Sequence, residues 1–235
     1  MISADRVPRL FLPVEQFQDN SVTLNKTQEH YLCRVLRRKP GDTFVALNGT
    51  GSSWLCQLST RASAERIENY PAVPPLKPQL RIGLSLCKGA RFESAIEKLA
   101  ELGVAEVIPL CCERTERKLP SESKFARWTD IALAASALGG RLIPLIVQAP
   151  RALEALLEQS QNEIAYCHPQ GERASQFFHQ KRDSITLLIG PEGGFSPKEV
   201  SQLSSRGKKV DLGPLNLRVE TAAVAAATLC LHLSI

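Results

Sequence analysis

From residue 79 onward, the apolar positions of this chain fall into short runs separated by longer segments with helical spacing. Strands are predicted at Leu80–Leu86, Val104–Leu110, Leu142–Val147, Ile164–Cys167, Ile185–Ile189 and Lys209–Asp211. The intervening helices are predicted at Ala90–Leu102, closed by Gly103, and at Ala126–Ala137, Leu153–Gln159, Pro197–Arg206 and Thr221–Leu233. Short apolar strands alternating with amphipathic helices imply an α/β fold, with a parallel sheet covered on both faces. In such sheets a ligand binds beyond the carboxyl ends of the strands.

The first seventy residues follow a different pattern. Short strands are predicted at Arg9–Leu12, Ser21–Leu24, Thr43–Leu47 and Ser53–Leu58, the last two joined by the turn residues Asn48-Gly49-Thr50-Gly51. One helix, Lys26–Arg37, interrupts them and stops at Pro40-Gly41. This is the pattern of a small β-barrel. The segment Tyr70–Pro78 holds four prolines in nine residues. Such a stretch stays extended and reads as a linker, which places a domain boundary near residue 73.

Composition narrows the class. The chain has 235 residues, 43% hydrophobic and 23% charged, in the ordinary globular range. No apolar run is long enough for a bilayer, and the polar start Met1–Asp5 lacks a signal layout, so a cytoplasmic protein is expected. The seven cysteines include no C-x-x-C pair and no histidine pair has ligand spacing, so no metal is expected. Most of the cysteines lie beside apolar residues and read as small buried hydrophobes. The net charge of +5 is mild, but Arg34, Arg37, Arg38 and Lys39 crowd into six residues. A basic cluster suits a nucleic acid, and it equally suits a solvated helix face.

Two loops carry the chemistry. The predicted strand Ile185–Ile189 runs into Gly190-Pro191-Glu192-Gly193-Gly194-Phe195-Ser196, and a second loop, Leu212-Gly213-Pro214-Leu215-Asn216-Leu217-Arg218, opens the last helix. Glycines here let backbone groups come close to a ligand. The first loop has no phosphate-binding pattern and carries a carboxylate where a phosphate would be repelled. A cationic or polar small molecule fits it better. Part of the motif is also structural, since Ser196 suits the N-cap of the helix beginning at Pro197.

With these loops, the chain resembles the RsmE family of 16S ribosomal RNA uridine N3-methyltransferases. The resemblance rests on Gly190–Ser196, Leu212-Gly213 and Leu217–Ala222, and it extends over the whole chain. Arg9-Leu10-Phe11, His30-Tyr31-Leu32, Arg34–Arg37 and Gly41-Asp42 resemble the family's PUA-like barrel. Lys88-Gly89, Glu97-Lys98, Glu101–Val104, Glu113-Arg114 and Arg127-Trp128 resemble the opening of its catalytic domain. The resemblance implies an α/β fold of the SPOUT type, a parallel sheet with a C-terminal trefoil knot, preceded by a small PUA-like β-barrel. Residues 1–73 would form the RNA-binding barrel and 74–235 the methyltransferase domain. It further implies S-adenosylmethionine as cofactor, 16S rRNA or the small ribosomal subunit as partner, and a homodimer whose second chain completes the site.

On this resemblance Ile189, Gly190, Pro191, Glu192, Gly193, Gly194, Leu212, Gly213, Leu217 and Thr221 would hold the cofactor. Arg218 would supply the cationic group beside the uracil oxygens, and Glu220 would orient that arginine or the substrate. If the loop is extended there, a two-residue spacing puts both side chains on one side. A plain Arg–Glu pair fastening loop to helix is the alternative for Glu220. Candidate RNA contacts are His30, Arg34, Arg37, Arg38, Lys88 and Arg91. Two departures from the family's pattern stand out. Leu215 occupies the place of a usual arginine, and Ala134–Arg141 reads Ala-Ala-Ser-Ala-Leu-Gly-Gly-Arg where the family commonly has Ala-x-Glu-Gln-x-Gly-Arg. They leave open an RNA- or ribosome-binding protein with lost or altered methyl transfer.

Overall fold

The computed structural model describes residues 7–87, 89–115 and 119–233. The chain divides into two compact units, one comprising the chain through Pro74 with Ser136–Pro144, the other Pro75–Ala135 with Leu145 onward.

In the first unit, β1 (Arg9–Phe11), β2 (Phe17–Gln18), β3 (Ser21–Thr23), β4 (Thr43–Leu47), β5 (Ser53–Leu58) and β6 (Ser63–Asn69) form one sheet in the order β1-β4-β5-β6-β3-β2. Only β1–β4 is parallel; the other pairs are antiparallel. Leu10, Val22, Phe44, Cys56, Leu58 and Ala64, drawn from five strands, share a single core with Leu32. A sheet whose inward residues all meet in one cluster has to curl around it, which gives the domain its barrel character. Leu32 belongs to the helix that plugs this core. That helix starts as α1 (Lys26–Glu29) under a capping box of Asn25 and Gln28, then widens to π-helical turns over His30–Val35. Neither the π turns nor β6 was expected. β6 reads Ser-Ala-Glu-Arg-Ile-Glu-Asn, and only Ala64 of it is buried, so it lacks the apolar alternation that marks a strand. The expected strand Leu142–Val147 shrinks to its last two residues, and Arg141 instead bridges Val73.

The second unit holds β7 (Gln79–Ser85), α2 (Arg91–Leu102), β8 (Glu106–Cys111), most of α3 (Glu122–Leu138), β9 (Ile146–Val147), β10 (Arg151–Ala152) and α4 (Leu153–Gln159). It continues through β11 (Glu163–Arg173), α5 (Ala174–Phe177), β12 (Ser184–Ile189), α6 (Pro197–Arg206), β13 (Lys208–Asp211) and α7 (Val219–Leu233). Its sheet runs β10-β8-β7-β12-β11-β13, with β9 beside β8, and every pair is parallel. Successive side chains alternate between two cores. Leu80, Ile82, Leu84, Val107, Ile185, Leu187 and Ile189 face the core closed by α2, α3, α5 and α7. Ile108, Leu110, Tyr166 and Leu188 face the other, closed by α4 and α6. Gly83 lies where Leu110 and Leu188 already fill the space that a β-carbon would need.

β11 is much longer than its predicted Ile164–Cys167. Its ladder with β13 is irregular between Cys167 and Glu172, around Pro169 and Gly171. Proline and glycine argue against a strand in sequence, yet here they mark the irregularity that shapes the site. Among the described residues, no helix is long and apolar enough to cross a membrane.

Candidate functional site

A cavity of about 560 Å³ lies in the second unit, bounded by the loops that leave β12 and β13 and by Cys167-His168-Pro169 of β11 between them. It sits beyond the carboxyl ends of neighbouring parallel strands, where α/β sheets bind ligands, and its size is that of an ordinary small-molecule site.

The first loop is held at several points. Gly194 adopts φ +70, and its N–H bonds the Pro191 carbonyl at 2.8 Å, closing a tight turn. Phe195 is buried edge-on against Tyr166, and the space beside Gly190 is taken by the Phe195 ring, with 3.0 Å left to a notional β-carbon. Ser196 then caps α6 in a reciprocal capping box with Glu199. Glu199 is itself buried: one oxygen accepts from Ser196 N (2.8 Å) and the other from Glu113 N (2.9 Å). This ties the segment after β8 to the start of α6. The adjacent Arg114 donates to the Gly193 carbonyl at 2.8 Å, so the loop is pinned from outside.

The second loop turns at Gly213, whose φ is +127 and whose N–H donates to the Asp211 carboxylate at 2.9 Å. Leu212, Gly213, Leu215, Asn216 and Leu217 line the cavity, and so do Val219 and Ala222 of the first turn of α7. Glu192 and Asp211 bring negative charge, balanced in part by Arg114.

Of the ten predicted cofactor residues, nine line this cavity: Ile189, Gly190, Pro191, Glu192, Gly193, Gly194, Leu212, Gly213 and Leu217. Thr221 does not, and is exposed on α7. Arg114, His168 and Asp211 line it without having been predicted, and Asn216 does so from within the second loop. Of the first three only Arg114 carried a sequence signal, as a member of a basic group; His168 is brought in by the β11 irregularity and Asp211 by the turn after β13.

Arg218 and Glu220 are arranged differently from the expectation. The helix α7 begins at Val219, and Ala222 N–H bonds the Arg218 carbonyl, so the backbone there is already turning helically rather than extended. Two positions on a helix lie about 200° apart, so the pair cannot face the same way. Glu220 meets Arg91 instead (Nε–Oε1 3.8 Å), and Arg91 also meets Glu192 (Nη1–Oε1 3.5 Å). Arg91 thus joins a carboxylate of the first loop to one of the final helix; it does not stand free for an RNA phosphate. Arg218 is exposed. The Cys87 thiol, at the end of β7, is pushed up to about 11, first by burial and then by the Glu192 and Glu220 charges.

The other predicted RNA contacts lie in the first unit, except Lys88, which lies outside the described residues. His30 and Arg34 are exposed on the π-helical segment, and Arg37 is exposed with φ +57. Arg38 is half-buried, and among the described residues its Nε has no hydrogen-bond partner. The two departures also find their places. Leu215 is exposed at the cavity, whereas Ser136 and Ala137 are buried, Ala137 packing with Val45 and Leu47. Among the described residues, no group of three or more potential ligands could hold a metal.

The chain matches the RNA methyltransferase domain family over residues 74–231 and an RNA methyltransferase PUA domain over residues 24–65. It is 33% identical over 228 residues to the ribosomal RNA small subunit methyltransferase E of Synechocystis sp., covering 93% of this chain and 75% of that protein. The enzyme of the same name from Bacillus subtilis is 30% identical over 241 residues, 93% of each chain. Among solved structures, a methyltransferase of Legionella pneumophila in complex with the bound cofactor SAM aligns with a TM-score of 0.86 and 28% identity, over 96% of this chain and 97% of that one. The Neisseria gonorrhoeae ribosomal RNA small subunit methyltransferase E, bound to S-adenosyl methionine, shares the fold with a TM-score of 0.85 at 23% identity, over 94% and 95% of the two chains.

Proposed function

Because this chain belongs to the ribosomal RNA small subunit methyltransferase E (RsmE) family, we propose that it methylates N3 of a uridine in 16S ribosomal RNA, using S-adenosylmethionine. The observation that carries this reading is the 560 Å³ cavity between two glycine loops at the strand ends, both loops lying within residues 74–231 that match the RNA methyltransferase domain family.

The residues present fit the cofactor. Gly193, Gly194 and Gly213 project no side chain, so a ligand can approach backbone N–H and C=O groups directly. Glu192 and Asp211 give the cavity carboxylates that favour a cationic sulfonium and can accept from ribose hydroxyls. Ile189, Leu217 and Val219 supply apolar walls for an adenine. When bound, S-adenosylmethionine supplies an electrophilic methyl group, so the protein needs no covalent nucleophile. Its tasks are to hold the base, remove the N3 proton and stabilise the charge on the uracil oxygens. Arg218 is the candidate for that last role, since it is exposed between two cavity-lining residues, Leu217 and Val219.

Residues 1–73 are proposed to grip RNA through His30, Arg34 and Arg37, with 74–235 as the catalytic part. A homodimer is supported by Leu215 and Leu217, large apolar side chains 77% and 38% exposed at the cavity, which a second chain would cover. The trefoil knot is supported by connectivity. β13 is the edge strand, yet α7 directly after it packs on α2 and β7 in the interior, so the chain crosses back past the loop after β12. A cytoplasmic location follows from the substrate.

The test is tritiated methyl transfer to small ribosomal subunits lacking the modification, with mass mapping of the product. A 3-methyluridine in 16S rRNA is expected. No transfer, with cofactor binding intact by calorimetry, would instead favour a binding protein that has lost turnover.

A further inference from the structure

Beside the cofactor cavity lies a second hollow of about 440 Å³, lined by Gly89, Ala90, Arg91, Ser94 and Glu220. The two meet at the Arg91–Glu192 pair and at the first turn of α7, where Val219 and Ala222 line one hollow and Glu220 the other. Glu220 is unusual. One carboxylate oxygen faces Arg91, while the other, Oε2, is buried and has no hydrogen-bond partner among the described residues. A buried acceptor left without a donor is destabilising, and a donor brought by a ligand would satisfy it. The first turn of α2 closes the same hollow with no side-chain cap over its N–H groups.

We infer that this hollow receives the target base, and that Arg91, Glu220 and the start of α2 read the edge of uracil. The inference rests on the proposed function and names the residues that select its substrate. The pairing edge of uracil presents an acceptor, the N3–H donor and a second acceptor. The hollow offers matching groups: the guanidinium of Arg91 as donor, the Glu220 carboxylate as acceptor, and the Ser94 hydroxyl and the N–H groups of the α2 terminus as further donors. Cytosine fails at the centre, because its N3 carries a lone pair, not a proton, and faces a carboxylate lone pair.

The same contact provides the base. As the N3 lone pair forms the bond to the methyl carbon, the N3 proton passes to the Glu220 carboxylate. The bond between sulfur and methyl breaks with its electron pair left on sulfur, giving 3-methyluridine, a neutral thioether and a protonated Glu220. N3–H becomes strongly acidic as that bond forms, so a carboxylate suffices to take the proton.

Two measurements test this. The first uses small ribosomal subunits and the Glu220→Gln protein, whose amide can accept from N3–H but cannot take its proton. The transfer rate is expected to fall about a hundredfold or more, while cofactor affinity by calorimetry stays near that of the unsubstituted protein. An unchanged rate overturns the inference, and leaves the proposed function standing if the unsubstituted protein makes 3-methyluridine. The second measures binding alone, to a short oligoadenosine carrying one central uridine or one central cytidine. The unsubstituted protein should prefer uridine by about tenfold, a preference that Glu220→Gln loses. Equal affinity for the two RNAs overturns the inference even where Glu220→Gln fails to fold. A uridine preference without methyl transfer supports the hollow and counts against the proposed reaction.

Discussion

At the scale of single residues, charge partners decide the site. Glu220 and Glu192 both meet Arg91, from helix α2, and this leaves Arg218 exposed beside the cavity. Sequence spacing suggested Arg218 with Glu220, because nothing along the chain reveals that α7 begins at Val219 or that Arg91 lies within reach. Arg218→Ala is expected to lower the rate of methyl transfer about a hundredfold while leaving cofactor affinity unchanged. Single-turnover kinetics with calorimetry on the same protein checks this, and full activity would remove Arg218 from the reaction. The glycine loops, in contrast, are legible from residue type alone. Gly213 at φ +127 has open space around it, so a methyl group there meets backbone strain and no clash. Strain of about 1–3 kcal/mol predicts that Gly213→Ala weakens cofactor binding roughly tenfold, as read by calorimetry.

At the scale of elements, local signals were readable and long-range ones were not. The Ser196 cap and the helix from Pro197 to Arg206 are visible in a few consecutive residues. The further duty of Glu199, accepting from Glu113 N across 86 positions, is invisible until the fold brings β8 and α6 together. Ser196→Ala should cost about 1 kcal/mol, the usual worth of a cap. Glu199→Ala should cost about 3 kcal/mol, since it strips two backbone N–H groups of their acceptor. Denaturant unfolding of the two variants would show the order, and equal losses would mean that the Glu113 contact contributes nothing. Strand β6 and the part of β11 beyond Cys167 escaped for different reasons, one too polar to alternate and the other interrupted by Pro169 and Gly171.

For the whole molecule, stability should respond to ligand and to pH in defined directions. Cofactor at a hundredfold excess over its dissociation constant should add about 2.7 kcal/mol of stability, seen as a raised Tm. The thiols of Cys56 and Cys87 are pushed by burial from 9.0 up to about 11. Below pH 9 both folded and unfolded chains keep these protons, so the stability is fully present. Between pH 9 and 11 the unfolded chain loses them first, so stability falls as pH rises. Thermal unfolding across that window should show the decline, and replacing both cysteines by alanine should lessen it, the rest coming from Cys112 and Cys167, which burial also pushes up to about 12. Sedimentation tests the proposed homodimer, and a monomer at working concentration would leave Leu215 uncovered.

Hydrophobic periodicity and glycine placement, by themselves, determined that a β-rich segment precedes an α/β segment with loops at its strand ends, because strands, helices and tight turns answer to neighbours a few residues away. The resemblance in those loops pointed to the chemistry. Which strands sit side by side, where β11 breaks its ladder, and which arginine meets Glu220 were decided only in three dimensions. These depend on residues far apart in the chain: Arg91 reaches its two carboxylates only because α2, the loop after β12 and the start of α7 converge at one end of the same sheet.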